Sequence, residues 1–250
     1  MNTLKKALEM LEEIVVNPAG VRPSTLAKKF GMSLPNAYKY LKVFEEYGFV
    51  VKKPDGSYIP SFKIVELSSI ILRRLDIRDI STPFLLDLMI KTGQTVHLIM
   101  KDGFEGVYVH KIEGANSIPM VSKIGMKMDL YSTSAGKAIL AFLPEDELEE
   151  YFRTVKLVKK TEKTITDPEE LKKELKVVRK RGYAIDDEEN EPGIRCVGAA
   201  VLNHEGYPIA AVSISGASSK LTMDWIKENA KHIVNCAKNI SSKLGYSGGE

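Results

Sequence analysis

The 250-residue chain has 44% hydrophobic and 28% charged residues, a composition typical of a soluble globular protein and unlike that of a disordered chain. It contains no run of about eighteen apolar residues, which excludes a membrane-spanning helix, and its charged N-terminus argues against a signal peptide. Two cysteines are too few for a disulfide framework, so we expect a cytoplasmic protein with no membrane partner.

The net charge of +3 is distributed unevenly along the chain. Residues 1–75 carry 12 basic and 7 acidic side chains, whereas residues 76–250 carry 24 basic and 26 acidic ones. A basic N-terminal part on a mildly acidic body favours a DNA-binding module fused to a second domain, although a solvated surface can show the same imbalance.

The first 60 residues predict three helices and a β-hairpin. The apolar face of the first helix is formed by Leu4, Leu8, Leu11, Ile14 and Val15. Ser24 is a suitable N-cap for the second helix, and Gly31 stands where a left-handed C-terminal cap is needed. Ser33 can cap the third helix, in whose first turn a proline costs little. The Asp55–Gly56 pair between β-prone residues predicts a tight hairpin turn.

Residues 61–75 predict a linker helix whose apolar surface indicates a partner chain. Beyond it, helices are predicted near residues 78–92, 134–143, 144–152, 168–181 and 222–244. Strands are predicted at residues 95–100, 106–111, 118–121, 196–202 and 209–215. Neighbouring hairpins with helices at both ends predict an α+β domain on an antiparallel sheet. The expected domains are therefore 1–60, the linker 61–75, and 76–246.

The short helix, glycine turn and second helix of residues 24–47 are the parts of a helix-turn-helix, whose second helix enters the major groove. Asn36 can pair with adenine, Lys39 can reach guanine, and Tyr40 can contact a phosphate or a thymine methyl group. Other residues would hold the phosphate backbone. The predicted DNA-binding residues are Ser24, Thr25, Lys28, Ser33, Asn36, Lys39, Tyr40, Lys52 and Lys53. The alternative is a three-helix bundle with a solvated basic face.

Two stretches resemble the IclR family of transcription factors. The first is LAKKFGMS at residues 26–33, continuing through AYKYL at 37–41 to EYGFV at 46–50, and the second is MDLYSTSAGKAILA at residues 128–141. Three further stretches support this resemblance: RGYAIDDEE at 181–189, GIRCVGA at 193–199 and AVSISG at 211–216. The resemblance implies a winged helix-turn-helix, a linker helix and a C-terminal domain similar to GAF and PAS sensors. It also implies a homodimer, sometimes paired into a tetramer, that regulates an operon, as a repressor or an activator, in response to a small effector.

The same resemblance implies a set of effector-binding residues: Met120, Ser134, Ala135, Asp186, Cys196, Ser213 and Ser215. The residue types suit this role, because Ser213 and Ser215 share one face of a strand and small residues at a helix start let a ligand approach the backbone. Asp186 can bind ligand hydroxyls or deter a second anion. Ser134 stands where the family frequently has glycine, so the ligand can differ. Singly, each residue also has an ordinary structural explanation.

Enzymatic interpretations find little support in the sequence. SAGK at 134–137 lacks the features of a phosphate-binding loop, and the acidic residues 186–189 are more typical of a charged loop than of a catalytic cluster. The four histidines are scattered, so we expect no cofactor and no structural metal, with an adventitious site at Cys196 and a histidine left open. We therefore predict a sequence-specific DNA-binding regulator, with double-stranded operator DNA and an organic-acid or sugar-derived effector as partners. The alternatives are a sensor acting through a protein partner and, third, an enzyme.

Overall fold

A computed structural model of the chain describes residues 3–17, 19–67, 76–114, 117 and 120–248. The chain divides into two compact units, Met1–Arg74 and Leu75–Glu250. The predicted linker helix of 61–75 is helical over residues 62–67. Its remainder, residues 68–75, lies outside the described residues.

The described part of the first unit contains four helices and a two-stranded antiparallel hairpin. The helices are α1 (Thr3–Val15), α2 (Pro23–Lys29), α3 (Leu34–Glu46) and the helical residues 62–67 (α4), and the strands are β1 (Val50–Lys52) and β2 (Tyr58–Pro60). The Asp55 carboxylate accepts hydrogen bonds from the backbone N–H and hydroxyl of Ser57, which closes the predicted hairpin turn. This is the predicted winged helix-turn-helix.

The apolar face predicted for α1 is only partly correct. Ile14 is buried together with Met10, whereas Leu4, Leu8 and Val15 are 65%, 55% and 37% exposed. Because successive residues turn by about 100°, these exposed residues lie roughly 120° around the helix from the buried pair. The helix therefore carries two apolar stripes, and the fold of this unit covers one of them.

The start of α2 also differs from the prediction. Arg22, not Ser24, is the N-cap residue, and Pro23 occupies the first helical position. Proline suits that position because its missing N–H would have had no intrahelical acceptor and its φ is already helical. Ser33 is the N-cap residue of α3 as predicted, but its side chain makes no capping hydrogen bond.

The second unit is an α+β domain on an antiparallel sheet, as predicted, and its described residues form six strands of that sheet. Its strands are β3 (Thr95–Asp102), β4 (Glu105–Ile112), β5 (Lys127–Asp129), β6 (Ala184–Asp187), β7 (Ile194–Leu202) and β8 (Pro208–Ala217), in the order β5-β4-β3-β8-β7-β6. Its helices are α5 (Asp76–Thr92), α6 (Ser134–Leu140), α7 (Glu145–Thr154), α8 (Pro168–Arg181) and α9 (Met223–Lys243). Residues in α5 and α9 pack in a core on one face of the sheet, and residues in α6 and α8 in a second core on the other.

The short strands β5 and β6 were not predicted. The strand predicted at residues 118–121 is wrong at its two described residues. Met120 and Val121 lie outside any strand, and residues 118 and 119 fall outside the described part of the chain. β5 and β6 have only three and four residues. Strands this short carry too little alternation to be recognised without their neighbours.

Candidate functional site

The turn between α2 and α3 is fixed by a glycine in the left-handed conformation. Gly31 has a φ of +58°, the N–H of Met32 donates to the carbonyl of Ala27 at 3.0 Å, and that of Gly31 donates to Lys28. This double hydrogen bond is a Schellman motif, which ends α2 and turns the chain into α3. The buried Ala37, Leu41 and Phe44 then anchor α3 in the core of the first unit.

The residues predicted to contact DNA lie on the surface of the first unit. Asn36 and Lys39 are both exposed, as this function requires. The other exposed members of the predicted set are Ser24, Thr25, Lys28, Ser33 and Lys52, while Tyr40 and Lys53 are half-buried. Asn36, Lys39 and Tyr40 line a groove between α3 and the start of α1.

Two further residues of α3 share this surface but were not in the predicted set. Tyr38 is 45% exposed, and Lys42 is exposed one helical turn after it. Helical geometry places Lys42 beside Lys39, opposite the buried face of α3. The three-residue spacing from Lys39 was the signal that could have identified Lys42 from the sequence.

The basic side chains of this surface remain available to an anion. Lys29 is the exception, since it pairs with Glu13. Within the described part of the first unit, the side chains of Lys28, Lys39, Lys42 and Lys52 form no ion pair with an acidic group. Such unpaired ammonium groups suit phosphate contacts, which position a protein on DNA without reading its sequence.

The second unit contains a cavity of about 430 Å³ on the sheet face that carries α6. All seven residues that the resemblance implied for effector binding line it: Met120, Ser134, Ala135, Asp186, Cys196, Ser213 and Ser215. They come from the segment after β4, the start of α6, and strands β6, β7 and β8. A volume of this size lies within the range of small-molecule sites.

Strand pairing explains why these residues converge. Ser213 is paired with His97 and Ser215 with Cys196, while Cys196 is paired in turn with Asp186. Residues opposite one another on neighbouring strands point to the same face, so all five side chains are directed to the cavity side of the sheet. The intervening residues, such as Val212 and Ile214, enter the core beneath α5 and α9.

The start of α6 lies directly against strand β7. An added Cβ at Gly198 would be 2.5 Å from the carbonyl carbon of Ser134 and 2.6 Å from the backbone nitrogen of Ala135. Glycine is therefore required at position 198 for this close approach. Thr133 caps the helix by accepting a hydrogen bond from the N–H of Gly136 at 3.2 Å. Together these contacts hold Ser134 and Ala135 at the cavity wall.

Asp186 is a buried carboxyl group in the cavity wall. Its Oδ1 accepts hydrogen bonds from the backbone N–H groups of Glu189 and Asn190 at 2.8 and 3.2 Å. Burial, together with the neighbouring Glu189, raises the pKa of Asp186 from 3.8 to about 7, against the opposing effect of those hydrogen bonds and of Lys137. Near neutral pH this group can therefore either donate or accept a hydrogen bond.

Because folding raises the pKa of Asp186, we expect a distinct pH dependence of stability. The folded state holds this proton to higher pH than the unfolded chain, so its free energy of unfolding should fall as pH rises from about 4 to about 7. The loss should reach up to about 4 kcal/mol relative to Asp186→Asn, which has no proton to lose. Urea denaturation of both proteins across this pH range measures the difference.

A control variant and the presence of His97 in both proteins isolate the contribution of Asp186 to this pH dependence. Asp146→Asn, a change on the exposed first turn of α7, should leave the pH dependence as it is in the parent protein. Burial lowers the pKa of His97 from 6.5 to about 3, which gives a slope of opposite sign below pH 6.5. Both proteins share His97, so its contribution cancels. Parallel stability curves for the parent and Asp186→Asn would show that Asp186 does not titrate in this range.

His97 contacts the segment of Met120 and Ser122 at the cavity wall. The sequence analysis did not predict this role of His97. Its Nε2 lies 2.8 Å from the hydroxyl of Ser122, and its ring meets that of Tyr108 edge-on. On the paired strand, Lys111 donates through Nζ to the carbonyls of Met120 and Ser122 at 3.1 Å each. These contacts position Met120 at the cavity wall.

The acidic run at residues 186–189 is divided among different roles. Only Asp186 lines the cavity, whereas Asp187 pairs with Arg195, and Glu188 with Lys163. Glu189 forms a buried ion pair with Lys137 of α6. The four acidic residues do not form one cluster, but the predicted charged loop is only partly correct, because Asp186 and Asp187 belong to strand β6.

Neither a metal cluster nor a membrane span is found in the described part of the chain. Its His, Cys, Asp and Glu side chains include no group of three or more that could hold a metal ion. None of its helices combines the length and the apolar character that crossing a bilayer requires.

Comparison with known families matches both units. The IclR helix-turn-helix domain matches residues 3–54, and the C-terminal domain of bacterial IclR transcriptional regulators matches residues 70–242. The chain belongs to the IclR family. Members of this family are DNA-binding transcriptional regulators with a ligand-binding domain, and this IclR protein has both parts.

Individual relatives agree with this assignment over nearly the whole chain. The HTH-type transcriptional regulators KipR of Bacillus subtilis and XynR of Escherichia coli are each 32% identical to this IclR protein, over 245 and 247 residues, or 98% of both chains. The crystal structure of the Thermotoga maritima IclR is 57% identical, with a TM-score of 0.84, and the match covers 98% of this chain and all of that one. The resemblance identified in the sequence is thereby confirmed.

Several cavity residues of this IclR protein lay outside the predicted set. They include His97, Tyr108, Ser122, Lys160, Asn190 and Glu191. Alternation along β3 could have placed His97 on the same face as Ser213 once the two strands were known to be paired. Lys160 and Asn190 come from loops, and no periodic pattern in the sequence indicates where they lie.

Proposed function

We propose that this protein represses a catabolic operon by binding its operator, and that a small organic-acid or sugar-derived effector in the second unit controls this binding. The main support is the convergence of all seven implied effector residues on one cavity, in a chain whose helix-turn-helix exposes Asn36 and Lys39. The protein acts in the cytoplasm by binding, not by catalytic turnover. The proposed domains are 1–60, a linker at 61–75, and 76–246.

The proposed operator reader is the N-terminal half of α3. Asn36 and Lys39 contact base edges, with Tyr40 beside them. The remaining residues proposed to hold the phosphate backbone are Ser24, Thr25, Lys28, Ser33, Lys52 and Lys53. The effector can change DNA affinity only to the extent that it binds the DNA-competent arrangement of the protein differently from the other one.

A homodimer, which can pair into a tetramer, is the proposed assembly. Apolar side chains of the first unit are left exposed on α1 and α4, including Leu8 at 55%, Phe62 at 89% and Val65 at 59%. Isolated exposed apolar residues are common, but rows of them on helices indicate a partner surface. A second copy placed on these rows would bring two recognition helices to a pseudo-palindromic site.

Alanine substitutions on α3 and the wing test the DNA-binding proposal. Asn36→Ala or Lys39→Ala should cost about 1–3 kcal/mol on the operator and relax the sequence preference, because a base contact is lost. Lys52→Ala should weaken binding to all sequences about equally and reduce its salt dependence. Footprinting upstream of the protein's own gene, followed by titrations at several salt concentrations, measures both effects.

The same experiment separates the alternatives. Exposed Lys173 on α8 of the second unit is the control position, and its change to alanine should leave affinity for DNA intact. A dimer should protect two half-sites about one helical turn apart. A sensor that acts through a protein partner would give no footprint and no steep salt dependence, and that result would refute the proposal.

A further inference from the structure

The charged groups of the cavity leave no cation free for a strongly anionic ligand. Its charged lining residues in the described part of the chain are Glu105, Lys127, Asp129, Lys160, Asp186 and Glu191. Lys127 Nζ lies 2.5 Å from a Glu105 carboxylate oxygen, and Lys160 Nζ lies 2.6 Å from one of Asp129. Both lysines are thus already paired, while Asp186 and Glu191 add acidic character.

Hydroxyl groups are the cavity's main unused hydrogen-bonding groups. Ser134 and Ser213 are 1% and 4% exposed and line the cavity, as does the half-buried Tyr108. Their hydroxyls make no hydrogen bond to the residues that the structure describes, and Oδ2 of Asp186 likewise has no partner among them. Cys196 instead has a hydrogen bond with the Ser215 hydroxyl.

The unpaired groups that face the cavity indicate what the ligand must supply. A ligand that covers them excludes water, and a hydroxyl then left without a partner would cost about 1–3 kcal/mol, so the ligand must both donate and accept hydrogen bonds. Hydroxyl groups of a ligand can do both, whereas an alkyl chain or a bare aromatic ring can do neither. A phosphate ester would bring about two negative charges to a wall whose described lysines are both already paired with carboxylates.

We propose, building on the proposed regulatory function, that the effector is a polyhydroxylated compound without a phosphate group. Sugars, sugar alcohols and sugar acids share this chemistry. The hydroxyls of Ser134, Ser213 and Tyr108 bind the ligand's hydroxyl groups, and Asp186 Oδ2 accepts from one of them. Because both lysines in the described part of the wall are paired with carboxylates, phosphorylated sugars do not belong to the proposed class.

Calorimetric titration of the full chain tests this ligand class. The panel contains the common pentoses and hexoses, their alditols and aldonates, hexanoate, benzoate, and the 6-phosphates of glucose and gluconate. We expect at least one polyhydroxylated compound to bind roughly tenfold or more tightly than hexanoate and than its own phosphate ester. Comparing the alditols with the aldonates shows whether the ligand carries a carboxylate.

Substitutions in the wall link binding to the proposed contacts. Ser134→Ala and Ser213→Ala should each weaken the preferred compound by about two- to tenfold, the loss of one hydrogen bond. Ser242→Ala on the exposed side of α9 is the matched control and should leave the affinity intact. Equal affinity in Ser213→Ala and the parent would contradict the proposed contact.

Three results would overturn the ligand class: hexanoate or benzoate binding as tightly as every polyhydroxylated compound, a phosphate ester binding more tightly, or no polyhydroxylated compound binding up to roughly 10 mM. The failure of the regulatory function has a different signature, because footprinting needs no ligand. A chain that protects DNA but binds none of these compounds refutes the ligand class alone. A chain that binds them but protects no DNA refutes the regulatory function.

Discussion

Replacing Lys137 with methionine is expected to destabilise the second unit by about 3–5 kcal/mol. Lys137 is 1% exposed on α6 and pairs at 2.5 Å with Glu189, which is 7% exposed. Burial already raises the pKa of Glu189, an effect that Lys137 opposes, and Glu189 Oε2 has no hydrogen-bond partner in the described part of the chain. Without the ammonium group, the glutamate becomes a buried charge without a counter-ion, and its remaining hydrogen bond comes from the backbone N–H of Asp187 at 3.4 Å.

Urea denaturation followed by tryptophan fluorescence measures this effect. The single tryptophan, Trp225, lies in α9 and therefore reports on the second unit. Lys127→Met is the control, because Lys127 pairs with Glu105 at the surface, where such pairs contribute about 0–1 kcal/mol. Removing both charges, as Lys137→Met with Glu189→Leu, should restore most of the stability.

These three variants distinguish a buried ion pair from a general packing defect. If Lys137→Met costs no more than Lys127→Met, the pair is solvated and the interpretation is wrong. If adding Glu189→Leu to Lys137→Met restores no stability, the lysine and the glutamate are not coupled. The second outcome would indicate that the aliphatic part of Lys137 matters more than its charge.

Replacing Gly198 with alanine is expected to cost about 3 kcal/mol or more and to impair ligand binding at the same time. The added Cβ would overlap the backbone of Ser134 and Ala135 at 2.5–2.6 Å, so strand β7 and helix α6 must move apart. Overpacking of a rigid contact is costly because backbone atoms cannot rotate out of the way. Since both residues line the cavity, the same displacement alters the site.

Gly103→Ala provides the matched control. Gly103 has a φ of +58° between β3 and β4, and a Cβ added there would meet nothing within 4 Å. Its replacement should cost only the left-handed backbone strain, about 1–2 kcal/mol. Calorimetric melting of both variants measures the difference. Equal losses would show that α6 can adjust to a side chain at position 198 and that the close approach is not a constraint.

The sequence predicted those elements whose bounds depend on a few adjacent residues. Helix α8 has the ends that were predicted, and the structure shows that both are set locally: Asp167 caps its start and Gly182 adopts the left-handed conformation at its end. The hairpin after α3 was predicted from Asp55 and Gly56 for the same reason, since turn chemistry depends on a few adjacent residues. The cavity residues were identified through the family resemblance, and the order of the strands explains their convergence.

Other features depended on which elements pack together. Periodicity showed that α1 has an apolar stripe with Leu4 and Leu8, but only packing decided that the stripe with Met10 is the buried one. The burial of Lys137 was equally invisible, because a lysine in a helix is ordinarily solvated and Glu189 is 52 residues away. Local sequence thus determined the ends of α8, the hairpin turn and the shared strand face of Ser213 and Ser215. The tertiary structure alone decided which charged side chains are buried and which side chains line the same cavity. Both depend on contacts between residues far apart in the chain.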